Sequence, residues 1–471
     1  MDLQYGLYSY KSKSPPTAAM RCINGYPEFQ PTDAKKRIIV KGSPGVRPFL
    51  NIGHGPMRGI MEMNGVGYCV SGTQFFSFAA DGTSIILGSG ITGFAPVSMA
   101  GNGFEIVIVN GVNGFSYLLS DNSFIQISDG DFHAANSVCN INNVFVFDWA
   151  GTNKFFCSNV LDGRSYDGLN FASAESDSDN ILSVANRNGV LILFGERTIE
   201  SWDHTGAAAF PFQRFKGGTI DRGIEAPSAH ESEDEALFFL GDDLTFYRLN
   251  GLSLQRVSNH ALETEWGEYA TTSDAFCFRV SDGGHKFIYL TFPTEGRTFG
   301  MDIASQNLWH ERMSWDATGR EVKWRANTAA TIYNKTMIGD ANGGRLGHLD
   351  ANIYTEFGDP IVTTLVGSPI HADGRRVFMP CLEVDFEGGV GLTTGQGSDP
   401  QLMMQISDDG GHTWESPELW TSIGRIGEYR TTMRWDRLGS FFQRSIRLSI
   451  SDPIRRTFIA VRAPKTRAGA E

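Results

Sequence analysis

The sequence predicts an all-β protein: a β-propeller of about seven blades with an additional β-rich platform domain. Three observations lead there. The chain holds 54 Gly and 33 Phe among 471 residues, a composition suited to many short aromatic strands joined by tight turns. Long runs of Ala, Leu, Glu and Lys with helical period are absent. One strand–turn–strand unit recurs along most of the chain at a spacing close to that of a propeller blade.

The elements follow in order. Residues 1–45 contain Ser14-Pro15-Pro16 and Ser43-Pro44-Gly45 but no clean hairpin, and are read as an N-terminal segment joining the platform. Residues 46–360 carry the repeats: 67–78, 105–115, 144–156, 190–202, 236–247, 287–299 and 335–346. Their starts lie 38, 39, 46, 46, 51 and 48 residues apart. A four-stranded sheet cannot bury both faces alone, and stacking such sheets around an axis does so while leaving short, protected edges. An array of β-sandwiches is the competing architecture, because short strands at similar spacing serve both. Residues 361–471 read as a C-terminal platform with longer strands, such as 376–386 and 445–450, around a Gly-rich loop at 388–398.

Hydrophobic residues make up 41% and charged residues 20%, enough for a large core and against disorder. Six scattered cysteines without a C-x-x-C are expected to be buried thiols. No basic and apolar leader opens the sequence and no long apolar run occurs, so neither secretion nor a membrane span is expected. The formal net charge is -13. Residues 425–467 hold eleven basic and three acidic side chains and stand at +8, leaving -21 elsewhere. An acidic body repels a nucleic-acid backbone, and the basic end reads as an anion strip or a docking surface.

Ser407, Asp409, Gly411, Thr413 and Trp414 match the Asp-box pattern S-x-D-x-G-x-T-W. Its chemistry is local: the carboxylate bonds turn amides, glycine supplies positive φ, and the indole packs under the hairpin. Asp-boxes also occur in sialidases, so a sialidase-like glycosidase is the alternative. That enzyme would need an arginine cluster and a Tyr/Glu pair, and the nearest string to its Arg-Ile-Pro motif, at 46–49, does not match. The ten His are dispersed, and no zinc, P-loop, dinucleotide or nucleophile-elbow motif occurs; no cofactor is expected. Asp177 to Asn180 could begin a calcium loop but lacks its Gly and closing Glu, and reads as a solvated turn. Arg434, Arg437, Arg444, Arg447, Arg455 and Arg456 are candidate contacts to another subunit or an adaptor, since forked guanidinium donors suit carboxylates across a boundary. A charged strand face is the plainer alternative.

Several strings together resemble a known family. They begin with Gly42-Ser-Pro-Gly45, Gly55-Pro-Met-Arg-Gly59 and Gly65-Val-Gly-Tyr-Cys-Val-Ser-Gly72. Mid-chain stand Phe194-Gly-Glu-Arg-Thr-Ile-Glu-Ser-Trp202, Phe210-Pro-Phe-Gln-Arg214, Ile220-Asp-Arg-Gly223, Tyr247-Arg-Leu-Asn-Gly251, Gln255-Arg-Val-Ser258 and Trp309-His-Glu-Arg312. The Asp-box, Ile426-Gly-Glu-Tyr429, Arg437-Leu-Gly439 and Ser449-Ile-Ser-Asp-Pro453 complete them. In order and spacing these are similar to the packaged-DNA stabilization proteins, the tail hub or nozzle family of short-tailed bacteriophages, over about residues 20–462. The resemblance implies a homohexameric virion ring, assembled in the host cytoplasm, below the portal and head–tail adaptor. It would retain packaged double-stranded DNA, open for ejection, and carry tail fibres or spikes and a needle or plug. No catalytic residue, metal or cofactor comes with it.

Overall fold

The computed structural model describes residues 2–14, 17–174, 179–207, 210–416, 418–429 and 432–469. Seven blades of four antiparallel strands follow one another: 57–89, 98–126, 138–173, 181–220, 230–256, 276–311, and 326–350 completed by Gly45–Asn51. Each repeat seen in the sequence falls on the second strand of its blade, for example Glu105–Val109, Val144–Asp148 and Ala236–Leu240, which are buried at every position. Such strands read as unbroken apolar runs because neighbouring blades cover both of their faces.

Aromatic side chains fill the spaces between blades. Phe75 stacks with Phe124 at 5.6 Å between the first two blades, and Phe155 meets the edge of Trp202 at 5.0 Å between the third and fourth. The turn joining the first and second strands has two residues at positive φ in six blades, including Asn64-Gly65 and Asn188-Gly189. That geometry matches the right-handed twist of a hairpin. Asp234-Glu235 and Tyr333-Asn334 occupy the same turn without any glycine. A helix absent from the sequence reading, His260–Trp266, follows the fifth blade. Asn259 caps it, accepting from the amides of Ala261 and Leu262, and Trp266 lies buried against Phe292, Phe299 and Trp309.

The ring is closed by chain that precedes it. Gly45–Asn51 pairs antiparallel with Arg345–Asp350 as the outer strand of the last blade, and the inner strand Ala326–Ile332 packs beside Met57–Met63 of the first. Blade closure from a distant segment leaves no first or last blade with an open flank.

Two further sheets form a sandwich. One runs Gly25–Phe29, Ile38–Gly42, Thr457–Arg462, Cys381–Phe386 and Met433–Asp436, with Asp2–Leu3 on Thr457–Arg462. The other runs Ala19–Ile23, Thr363–Val366, Gln443–Ile450, Gln401–Ser407 and Leu419–Ser422. Leu382, Val384, Met404, Leu448 and Val461 are among the apolar side chains buried in their common core. Strands from both chain ends therefore build one body. Its second sheet continues into the propeller, because Ile23 pairs in parallel with Glu311 on the outer strand of the sixth blade. The six cysteines are all unpaired and none is exposed.

Candidate functional site

The seven inner strands converge on an axial channel, a cavity of about 530 Å³. Met61, Met99, Asn140, Asn186, Glu231, Cys277 and Thr328 line it, one from each strand. Polar rungs tie neighbouring strands together: Ser98 Oγ accepts from Val138 N at 3.0 Å, Ser137 Oγ from Val184 N at 2.8 Å, and Ser183 Oγ meets His230 Nε2 at 2.8 Å. Burial holds the His230 imidazole down at about 4, so it is neutral at pH 7. Burial raises the Glu231 carboxyl against the pull of Arg279.

The Asp-box is a hairpin clamp. Asp409 accepts from the Ser407 hydroxyl at 2.6 Å, from the amides of His412 and Thr413 at 2.9 Å, and from the Thr413 hydroxyl. These bonds to the charged form hold its carboxyl well below the usual range. Gly411 at φ +94° donates its amide to Ser407 Oγ. Arg447 lies over the Trp414 ring at 4.0 Å. Every named member of the motif is thus used within its own turn or in packing.

The six arginines separate by burial. Arg444 is buried, bidentate to Asp408 at 2.7 Å and stacked 4.1 Å over Phe441. Arg456 is buried at the propeller–sandwich seam, bonded to Thr363 Oγ1 and the Tyr354 carbonyl. Arg447 is half-buried, with its pKa lowered by burial to about 10. These three hold the fold, and the interior positions of Arg444 and Arg456 remove them from any contact surface. Arg434 and Arg455 are exposed but paired, to Glu383 with Asp436 and to Glu387. Arg437 is exposed at φ +64° with no side-chain partner among the described residues. In the basic segment Arg425, Arg434, Arg444, Arg455 and Arg462 pair with carboxylates of the same chain, so its +8 in sequence is only partly a surface charge.

A smaller basic patch remains. Lys465 and Arg467 are exposed and line a groove of about 550 Å³ with Phe378 and Met379. Arg376 stacks 4.8 Å over the exposed Phe442 beside it, and the backbone amide of Arg437 bonds the Pro380 carbonyl in the same groove. Sequence reasoning missed Arg376, Phe378 and Phe442, since only the pairing of Val377–Phe378 with Ser440–Phe441 and Arg467–Ala468 gathers them.

Of the proposed calcium turn, residues 177–178 lie outside the described residues. Asp179 is buried and accepts from the amides of Arg197 and Thr198 at 2.7 and 3.0 Å, which makes it a loop anchor and not a solvated turn residue. Among the described residues no three His, Cys, Asp or Glu side chains gather as a metal site, and no helix is long and apolar enough to cross a membrane.

The fold and these surfaces define a two-body β-protein, a seven-bladed propeller whose sixth blade runs into a β-sandwich. The family model described as the β-propeller of bacteriophage P22 Gp10 matches residues 17–354, and that of the Gp10 β-sandwich matches 363–464. The chain belongs to the bacteriophage P22 Gp10 family, the packaged-DNA stabilization proteins of short-tailed phages. No curated protein matches it.

Solved structures similar to it include the computationally designed Ika8 protein, at 10% identity and TM-score 0.38, covering 64% of this chain and 100% of that one. The β-propeller domain of Myceliophteria thermophila Cps50 (Swd1) aligns at 7% identity and TM-score 0.42, over 64% of this chain and 98% of that one. PorZ, a surface component of the type-IX secretion system of Porphyromonas gingivalis, aligns at 12% identity and TM-score 0.38, over 65% and 39%. At these values the likenesses carry no functional argument.

Proposed function

We propose that this chain is a structural virion protein that forms the tail hub or nozzle ring below the portal and head–tail adaptor. It retains packaged DNA, provides the channel for ejection, and carries fibres or spikes and the needle. The observation that carries this reading is the Gp10 family match over both the propeller and the sandwich. In such a ring the DNA path lies between the subunits, along the ring's own axis. A net charge of -13 per chain suits such a path, which must let a polyanion slide without gripping it. The groove flanked by Arg376, Arg437, Lys465 and Arg467 with Phe378 and Phe442 is the surface for an acidic neighbour, a second subunit or the adaptor.

The purified chain, alone or with adaptor-bearing heads, is expected to form rings of six copies of the 51.7 kDa protomer by native mass spectrometry and negative-stain imaging. A monomer persisting at micromolar concentration under both conditions overturns the ring. Charge reversal at Arg437 and Arg467 is expected to weaken assembly while leaving the monomer's melting temperature unchanged. We read the chain as a non-enzyme, supported by its structural family. Turnover of sialyl or other glycosides, abolished by one Asp or Glu substitution, would favour the glycosidase alternative instead.

A further inference from the structure

His285 opens the second strand of the sixth blade, His285–Phe292, where that blade meets the sandwich. Both of its ring nitrogens meet carboxylates. Nδ1 lies 2.7 Å from Asp302 Oδ2, on the next strand of the same blade. Nε2 lies 3.5 Å from Glu28 Oε2, on the sandwich strand Gly25–Phe29. Asp302 is fully buried, and its other oxygen accepts from the amide of Ala304 at 3.0 Å. Tyr26, on the same sandwich strand as Glu28, sets its ring edgewise to the imidazole at 4.8 Å.

A carboxylate only accepts, so each ring nitrogen facing one must carry a hydrogen. A neutral imidazole has one N–H and the imidazolium has two. The two contacts together therefore select the charged ring. The groups around it agree. Asp282, the cross-strand neighbour of His285, adds a third carboxyl, raised by burial. Lys41, which pairs with Glu28 at 2.5 Å, and Arg312, close to Asp282 and His310, are the cations. Burial keeps His310 neutral at about 4 and holds the Tyr26 phenol above its ordinary value. The bond to Asp302, opposed by burial and aided by Glu28, raises the His285 imidazole. Without that proton Asp302 is a buried carboxylate with no cation at ion-pair distance among the described residues. His285 and Glu28 stay 12% and 22% exposed and line a cavity of about 380 Å³ with Tyr26, Lys41 and Asp282, so solvent can exchange the proton.

We infer that His285 is a proton-operated latch between propeller and sandwich. Charged, it bridges Asp302 of the blade and Glu28 of the sandwich. On giving its proton to water it keeps Asp302 through Nδ1–H and releases Glu28. The stretch 26–28 is then held to the blade by the bond from Ser305 Oγ to the Pro27 carbonyl, 3.3 Å, and by the packing of Tyr26. Ile23 and Asn24 stay bonded to the blade, so the release is local. Because the folded value stands above the unfolded 6.5, the latch's stabilisation is complete below pH 6.5 and is lost as pH rises through the folded value.

Carbon-13 spectra of the full chain labelled in its histidine rings, with His285→Gln to assign the signal, read the titration directly. His285 is expected to titrate above 6.5, and Glu28→Gln to lower its midpoint by about half a pH unit. A midpoint at or below 6.5, or one that Glu28→Gln leaves in place, overturns the inference. The release itself is read by hydrogen exchange of residues 25–29, corrected for the intrinsic rise of exchange with pH. Protection is expected to fall several-fold as His285 titrates, and to fall at the correspondingly lower pH in Glu28→Gln. Protection that holds constant through the titration overturns the latch. Should His285→Gln fail to fold, Glu28→Gln supplies both readouts, and the histidine signal it moves is that of His285; no moved signal counts against the latch.

Discussion

Asn24 sits fully buried at φ +54° between the two bodies. Its side-chain oxygen accepts from Met313 N at 3.0 Å, and its amide donates to the carbonyls of Met313 and Val362 at 2.9 and 2.8 Å. Asn24→Ala strands three backbone groups in the interior, and a loss of about 2–4 kcal/mol is expected in chemical denaturation. Asn24→Asp, which keeps the acceptor but loses both donors, should rescue little.

One residue away in space lies an ionic seam. Burial alone would raise the Glu311 carboxyl, but Arg21 and Arg297, at 2.5 and 3.1 Å, outweigh it and hold it at about 2. A carboxyl depressed in the folded state contributes stability that is fully present above its unfolded value near 4.5 and is lost as pH falls toward 2. The term is on the order of 3 kcal/mol. Melting temperatures measured across that window should fall steeply for the wild type, and Glu311→Gln should start lower and flatten the curve. An equally steep fall in the variant would place the acid sensitivity elsewhere.

At the scale of elements, the closing strand carries the most consequence per residue. Gly45 opens it, and a Cβ there would lie 2.4 Å from Ile353 O and 2.5 Å from Thr355 O, both backbone atoms that cannot swing aside. Gly45→Ala must therefore displace the start of Gly45–Asn51 from the segment 353–355 and loosen the strand that closes the ring. A lower melting temperature and concentration-dependent aggregation are expected, read by light scattering during heating; wild-type behaviour would mean the strand re-seats without cost. The hairpins tell a complementary story. Asn-Gly at 64–65 and 188–189 announces its turn in sequence, whereas Asp234-Glu235 and Tyr333-Asn334 adopt the same positive-φ turn because the blade around them demands it.

Across the whole molecule, propeller and sandwich are joined by a parallel strand pair, by Asn24, and by buried ionic and polar contacts. Such a seam resembles a domain interior more than a hinge. The sandwich also needs chain from the far end: Ala19–Ile23 pairs with Thr363–Val366, and Ile38–Gly42 with Thr457–Arg462. A fragment of residues 361–471 alone is expected to be insoluble, and restoring residues 1–45 through a flexible linker should return soluble β-structure by circular dichroism. A soluble, cooperatively melting 361–471 fragment would show that the N-terminal strands are dispensable. The same seam predicts that propeller and sandwich of the full chain melt in one calorimetric transition.

The repeats are legible in the sequence because a blade's second strand is covered on both faces, so its burial is written as an uninterrupted apolar run such as 106–109 or 237–240. The Asp-box was legible for a related reason, since all its bonds close within a few residues of chain. The arginines were not: their meaning depends on carboxylates such as Glu383, Glu387 and Asp408, which strand pairing alone brings within reach. Local periodicity and local bonding thus determined the blades and the clamp. Burial, charge pairing and the seam between propeller and sandwich were decided only by tertiary contacts between segments tens to hundreds of residues apart, where no pattern along the chain records which partner arrives.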